Sequence, residues 1–288
     1  MSRSIAGKIK INSFADIISG DDTVISEVPL EDLHDFKNHP FRVLDDEKME
    51  ETVESIKKYG ILTPGIVRPR MDGGYEIIAG HRRKRACELA GLKTMPVVIR
   101  NYSDDEAVVA MVDTNLQRED ILPSEKARAY RMKYEAMKHQ GSREGGSTLE
   151  GIGAAAGESG KTVQRYISLS YLSEGLLKLV DVKKLPIRSG VELSYLKDSE
   201  QEWVEAVAAE TGIQISPAQA EKIRGYSKEK ELTKTLVREI ISGNSPKPRK
   251  VAIRADTIDR YFDEKYTAEE IEETIIRLLE EWKNKGGE

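Results

Sequence analysis

The chain has 288 residues, of which 39% are hydrophobic and 33% are charged, and its formal net charge is −5. This length allows two or three domains with cores of their own, and the slightly acidic total does not by itself indicate nucleic acid. The single cysteine, Cys87, excludes an intramolecular disulfide framework and a cysteine metal cluster, and we interpret it as a packing residue.

The first part of the chain predicts a tail followed by a small mixed domain. Residues 1–22 indicate a flexible tail with one short amphipathic segment, which either docks a partner or folds back. From residue 23 to 115 an α/β pattern follows, with strands predicted at 24–30, 66–68, 75–78 and 95–99. Helices are predicted after Asp45 or Asp46, after Gly80 and after the capping box at Ser103 and Glu106.

A basic turn lies between a predicted strand and the helix that follows it. Arg82, Arg83, Lys84 and Arg85 stand in a row directly after Gly80 and His81. A helix N-terminus already carries unpaired N–H groups and a partial positive charge, so four further cations are unfavourable unless an anion is bound. The pattern therefore predicts a phosphate site on a nucleotide or nucleic acid, with a basic surface turn as the alternative.

Residues 116–242 predict an all-helical domain that contains a helix-turn-helix. A helix from Pro123 to Gln140 precedes a linker at 141–146, and short helices at 149–156 and 160–169 are joined at Gly157. Ile152, Ala156, Val163 and Ile167 are expected to hold the pair together, although any short helical hairpin has this spacing. We predict DNA-binding residues, which can donate to phosphates and base edges, at Ser159, Lys161, Thr162, Gln164 and Arg165.

The C-terminal part predicts a linker at 243–250 and a small segment at 251–288. A strand is expected at 251–253, and a helix from Thr267 to Trp282 carries an apolar stripe. So short a piece cannot bury that stripe alone, so it packs on the preceding helices or dimerises, and we favour a homodimer. The chain has no apolar run near the roughly 18 residues of a membrane span and no signal-like segment, so we expect a cytoplasmic protein without a membrane partner.

Three segments in order resemble the ParB partition proteins, including their KorB-like and Noc-like relatives. They are residues 60–68, the turn at 80–86, similar to the family's G-E-R-R-x-R-A box, and residues 114–125, similar to its E-N-x-Q-R-x-x-L-x-P-x-E box. The Gly157-Glu158-Ser159 turn also resembles the family's G-x-S, and the similarity covers roughly residues 23–200. It implies an α+β N-terminal ParB/sulfiredoxin-like domain, an all-α helix-turn-helix domain and a small C-terminal (β)α piece.

The resemblance implies a site-specific, centromere-binding protein for plasmid or chromosome segregation. Family members bind double-stranded DNA as dimers, bind CTP with Mg²⁺ in the N-terminal domain, and meet a ParA-type ATPase through the N-terminal tail. Such a protein would be nucleoid- or plasmid-associated. Carried over by position, the nucleotide-binding residues are Gly80, His81, Arg82, Arg83, Arg85, Asn115, Gln117 and Arg118, and Asn115 would also reach the metal.

This sequence departs from the family pattern at two acids and in the recognition helix. His81 and Thr114 stand where the family usually has Glu, and carboxylates are the usual Mg²⁺ ligands near phosphates. We therefore expect triphosphate binding with weakened metal use, at most a weak CTPase. Gly160 stands where an Arg is common, so the DNA target sequence cannot be inferred.

Two other functions stay open at this point. The first is a transcriptional repressor or plasmid regulator with the same helix-turn-helix and no working nucleotide switch. The second is a sulfiredoxin-like enzyme, which would need a nucleophilic Cys where Gly80 and His81 stand. His34, His39 and His139 lack metal-ligand spacing and are expected to be isolated surface residues.

Overall fold

The structure is a computed structural model that describes residues 24–118, 120–139, 148–154, 156–243, 255–263 and 265–285. The predicted tail at 1–22, the linker at 141–146 and the strand at 251–253 lie outside the described residues. The chain divides into two compact units, one on each side of the gap at 244–254. Within the described part of the chain, no helix combines the length and the apolar character that a membrane span requires.

The N-terminal part is built on a mixed five-stranded sheet. Its strands are β1 (Ile25–Pro29), β2 (Leu33–His34), β3 (Gly65–Pro69), β4 (Tyr75–Ala79) and β5 (Thr94–Ile99). The spatial order is β1-β5-β3-β4-β2, with antiparallel β1/β5 and β3/β4 pairs and parallel β3/β5 and β2/β4 pairs. The four predicted strands are confirmed, and β2 is an addition because two residues are too short for a periodic pattern.

Three helices accompany the sheet, and local caps set where they begin. They are α1 (Glu47–Tyr59), α2 (His81–Ala90) and α3 (Asp104–Leu116). Of the two candidate caps for α1, Asp46 is the one used, because its Oδ1 accepts from Met49 N at 3.0 Å. The capping box of Ser103 and Glu106 opens α3 as predicted, and α2 ends at Gly91.

The sheet is covered on both faces, as the alternation of its apolar residues requires. Val67 and Ile77 face a cluster that includes Met49 of α1 and the fully buried Cys87 of α2. Ile66 and Ile78 face a second cluster that runs through α3 and onward into the helical part of the chain. Cys87 is thus a packing residue, and burial raises its thiol pKa to about 11.

The helical part continues from the sheet without a break in packing. It comprises α4 (Pro123–His139), α5 (Thr148–Ala154), α6 (Gly160–Leu169), α7 (Glu174–Asp181), α8 (Ile187–Leu193), α9 (Asp198–Thr211), α10 (Pro217–Lys228) and α11 (Lys234–Ile241). The boundary predicted after residue 115 falls inside α3, whose buried side chains share a cluster with Ile152 of α5 and Val163 and Ile167 of α6. A second core lies farther along, among α6 to α11.

The second unit contains α12 (Ala255–Ile258) and α13 (Ala268–Asn284). The helix predicted from Thr267 is confirmed, with Thr267 and Glu270 forming a capping box at its start. No residue of α13 is buried, and Leu278, Leu279 and Trp282 of its apolar stripe are each more than half exposed. Within the described residues of this unit, the stripe is therefore not buried.

Candidate functional site

The site begins where β4 passes into α2. Gly80, between the buried Ala79 and the first residue of α2, has a φ of +117°, which strongly favours glycine. A Cβ at this position would lie 3.2 Å from Gly65 Cα, so the two strand ends approach each other closely. This geometry places the N-terminus of α2, with its unpaired N–H groups, at the surface beside the end of α3.

A groove runs along this helix start. Its centre is a cleft of about 170 Å³ lined by His39, Arg42, Val43, Ala79, Gly80, His81, Arg82, Arg83, Thr114, Asn115 and Arg118. Two depressions of about 320 and 460 Å³ share lining residues with it, one through His39 and His81, the other through Arg42, Arg82 and Arg118. Together they offer the volume that a nucleotide-sized ligand needs.

Two arginines of the basic turn are paired with carboxylates that lie just before α1. Arg82 donates to Asp46 at 3.1 Å, and Arg85 donates to Asp45 at 2.7 Å. These hydrogen bonds hold the pKa values of both carboxyl groups below their usual range. Arg82 and Arg85 are therefore balanced within the chain. The expectation that the turn requires a bound anion did not consider these partners.

Arg83 has a different role from its neighbours in the turn. Its guanidinium donates to the backbone carbonyls of Thr63 and Pro64, in the segment that leads into β3. It thereby holds that segment against the start of α2 while also lining the cleft. We interpret Arg83 mainly as a residue that fixes the shape of the groove.

Two histidines form part of the groove wall. The rings of His39 and His81 lie with centroids 3.8 Å apart, and Phe36 N donates to His81 Nε2 at 3.4 Å. Burial, with smaller contributions from His39 and Lys84, lowers the pKa of His81 to about 3, so its ring is neutral at pH 7 and carries its proton on Nδ1. The expectation that His39 is an isolated surface residue was wrong, because it is partly buried against His81.

His39 presents a polar atom without a partner. Its Nδ1 lies 2.7 Å from Phe41 O and donates to it, which leaves Nε2 as the acceptor in the neutral ring. Burial lowers the pKa of His39, which favours that neutral form. Among the described residues, none pairs with the fully buried Nε2, so His39 holds an acceptor without a donor below the surface of the groove.

The depressed pKa of His81 predicts a pH-dependent stability. Protonation is easier in the unfolded chain, where the pKa is near 6.5, than in the folded chain, so stability is full above pH 6.5 and falls as the pH drops toward 3. We expect His81 to lower the free energy of unfolding by about 2 kcal/mol between pH 7 and pH 5. Urea unfolding should therefore show that His81→Gln loses less stability than the wild type between these pH values, by about that amount. The amide oxygen of the glutamine can still accept from Phe36 N.

The exposed His34 provides the matched control for this experiment. His34→Gln should keep the pH dependence of the wild type, because the substitution leaves His81 and its contacts in place. An unchanged pH dependence in His81→Gln would mean that His81 is not the titrating group.

The second candidate site is the exposed face of α6. Ser159 caps the helix by accepting from Thr162 N at 3.3 Å, while Val163 and Ile167 point into the core. The predicted outward residues Lys161, Gln164 and Arg165 are exposed, and Thr162 is half-buried. Glu158, in the turn before α6, accepts from Tyr130 Oη at 2.8 Å and pairs with Lys126, which ties the turn to α4.

The sequence relationships agree with this architecture. The family model for the ParB N-terminal domain matches residues 16–116. A probable chromosome 1-partitioning protein ParB of Deinococcus radiodurans is 33% identical over 204 residues, which cover 71% of this chain and 67% of that relative. The chain belongs to the ParB family. It is a ParB-type chromosome-partitioning protein, and the predicted order of a mixed N-terminal domain and a mostly helical remainder is confirmed.

Two solved structures of a C-terminally truncated ParB from Caulobacter crescentus are also similar to this chain. One, complexed to the centromeric parS site, is 25% identical, with a TM-score of 0.43, and the match covers 71% of this chain and 99% of that one. The other, complexed with CTP-γ-S, is 27% identical, with a TM-score of 0.31, and the match covers 69% and 98%.

The groove gathers most of the residues carried over from the ParB pattern. Gly80, His81, Arg82, Arg83, Asn115 and Arg118 line its centre, and Arg85 lines the adjoining depression. Gln117 is exposed at the end of α3 and does not line any of the three. Arg42 and His39 were missed, because they lie in an irregular segment with no periodic pattern to mark them.

The residues of the groove do not fit a Mg²⁺ ion held by protein carboxylates. Thr114 Oγ1 donates to Ala110 O at 2.9 Å and Asn115 Nδ2 donates to Met111 O at 2.8 Å, so Asn115 offers only its amide oxygen. The residues that line the central cleft include no Asp or Glu. Across the described ranges, no three residues of the types His, Cys, Asp and Glu are grouped so as to hold a metal ion.

Proposed function

We propose that this ParB-family chain is a site-specific DNA-binding partition protein whose N-terminal domain binds CTP and responds to it. The observation that carries the proposal is the groove at the start of α2, where a helix N-terminus and the side chains of Arg42, Arg82 and Arg118 line one volume. Forked guanidiniums and free helix N–H groups are the groups that bind a chain of phosphates.

The nucleotide to test first comes from a relative. A ParB from Caulobacter crescentus has been solved in complex with CTP-γ-S. CTP is therefore the first ligand to test. Arg82 and Arg118 would contact the phosphates, and Gly80 and His81 would offer backbone N–H groups.

The DNA-binding part of the proposal rests on α6. Its exposed Lys161, Gln164 and Arg165 combine two cations with an amide that can read a base edge, and they project from a capped helix in a helix-turn-helix. Palindromic sites require two copies of such a helix, and the exposed stripe of α13 supports a homodimer. A ParA-type ATPase acting on residues 1–22, and association with the nucleoid or a plasmid, belong to the same proposal.

The test is equilibrium binding of fluorescent CTP, ATP, GTP and UTP to the purified full chain and to Arg82→Ala. We expect saturable binding of CTP in preference to UTP, and a loss of about tenfold or more in Arg82→Ala, because a charge-assisted phosphate contact is removed. Binding to a labelled DNA duplex of mixed sequence at low salt should be unchanged in the variant, since Arg82 lies far from α6 in the chain and outside its face.

Arg70→Ala provides the matched control for Arg82→Ala. Arg70 also pairs with a nearby carboxylate, Asp72, but does not line the groove, so nucleotide affinity should stay at the wild-type value. Absence of nucleotide binding in the wild type, with DNA binding intact, would contradict the nucleotide-binding part of the proposal. The chain would then be a helix-turn-helix regulator without a working switch.

A further inference from the structure

We propose that the groove holds its triphosphate ligand through arginines and the N-terminus of α2 and needs no divalent cation for affinity. This inference rests on the proposed nucleotide site and concerns only how that site neutralises the ligand's charge. It departs from what the family resemblance implies, which is CTP bound with Mg²⁺.

The first argument is the chemistry of the cleft wall. Magnesium is held by oxygen ligands, usually one or two carboxylates together with phosphates and water. Here the polar groups of the wall are guanidiniums, two neutral imidazoles, the Thr114 hydroxyl and the Asn115 amide. The hydroxyl and the amide nitrogen already donate to the backbone of α3, so the wall offers a hard cation little beyond one neutral carbonyl oxygen.

The second argument concerns the carboxylates at the edge of the groove. Asp35 and Glu88, in the smaller depression, pair with Lys84 and Arg85. Asp46, Asp120 and Glu125 line the largest depression, and each is paired with a cation of the same depression, Arg82, Lys48 and Arg42 respectively. Glu125 also accepts from the backbone of Arg42 at 2.9 Å and of Leu122 at 3.1 Å. A divalent cation there would have to displace these bonds while standing beside guanidiniums that repel it.

The third argument is the balance of charge. The cations of the largest depression, Arg42, Lys48, Arg82 and Arg118, outnumber its carboxylates, Asp46, Asp120 and Glu125, and the N-terminus of α2 adds partial positive charge, so the face toward the ligand stays net positive. Each Mg²⁺ that accompanies a nucleotide removes two of the negative charges that these groups attract. The metal-free triphosphate is therefore the form that the groove attracts more strongly.

The experiment compares the dissociation constant of fluorescent CTP in EDTA with that in excess MgCl₂ at equal ionic strength, for the wild-type full chain. We expect binding in EDTA to be as tight as with Mg²⁺ to within about threefold, or tighter. Thr114→Glu, which adds a carboxylate to the wall, should weaken binding in EDTA by about tenfold and regain affinity when Mg²⁺ is added. The uncharged Thr114→Gln should show no Mg²⁺ dependence.

The outcomes separate this inference from the proposed function. Wild-type binding that appears only with Mg²⁺ would overturn the inference and leave the nucleotide site standing. Binding under neither condition would overturn the nucleotide site and this inference with it. Should Thr114→Glu fail to fold, the wild-type comparison decides the matter alone.

Discussion

Replacing Lys133 with Met should lower the free energy of unfolding by about 3–5 kcal/mol. The Lys133 ammonium contacts the Asp113 carboxylate, and the two side chains are only 4% and 10% exposed. Burial raises the pKa of Asp113 while Lys133 opposes that rise, so removing the lysine leaves an uncompensated acid in the core. The pair joins α3 to α4, the two helices on which the sheet and the α5–α6 pair both pack.

Urea unfolding of four variants would measure this effect. Lys133→Met is compared with Lys138→Met, an exposed position on the same helix whose change should stay within about 0.5 kcal/mol. Asp113→Leu should cost as much as Lys133→Met, and the double variant should recover most of the loss, because an apolar pair of similar volume replaces two desolvated charges. Equal stabilities of Lys133→Met and Lys138→Met would contradict the role assigned to the pair.

The starts of the helices could be predicted well from the sequence because the signals of their N-caps are local. Ser103 and Glu106, or Ser159 and Thr162, stand three positions apart, so the residues that make each cap can be read from the chain itself. Strands β3 and β4 followed from apolar runs on either side of a glycine turn. The α5 helix was predicted to end at Ala156 but ends at Ala154. Beyond that residue, Ala156 N and Glu158 N donate to Gly153 O, and these hydrogen bonds form a turn in place of a further helical turn.

The groove could be predicted only in part, because its walls come from distant segments. The boxes that resemble the ParB pattern supplied the start of α2 and the end of α3. Asp46 and Asp45 lie 36 and 40 positions from the arginines that they neutralise, and nothing in the local sequence connects them. His39 and Arg42 come from an irregular segment whose position depends on the packing of Phe36 and Phe41 in the core.

Replacing Gly153 with Ala should destabilise the chain by about 2–3 kcal/mol and weaken DNA binding by about tenfold. Gly153 is the penultimate residue of α5, and a Cβ there would be 2.2 Å from the backbone oxygen of Glu158 and 3.0 Å from Val163 Cγ2. The turn wraps around this glycine, since Ala156 N and Glu158 N both donate to its carbonyl. The backbone between α5 and α6 must therefore move, and the exposed face of α6 moves with it.

Gly151 gives this prediction a close control. It lies two residues earlier on the same helix, and a Cβ there meets nothing within 4 Å. Gly151→Ala should stabilise the chain by about 0.5–1 kcal/mol through helix propensity alone and leave DNA binding unchanged. Thermal unfolding should show Gly153→Ala to be less stable and Gly151→Ala more stable than the wild type. Binding to a labelled duplex should be weakened in Gly153→Ala alone. If Gly153→Ala behaved like Gly151→Ala, the close contact of α5 with the turn would not be what positions α6.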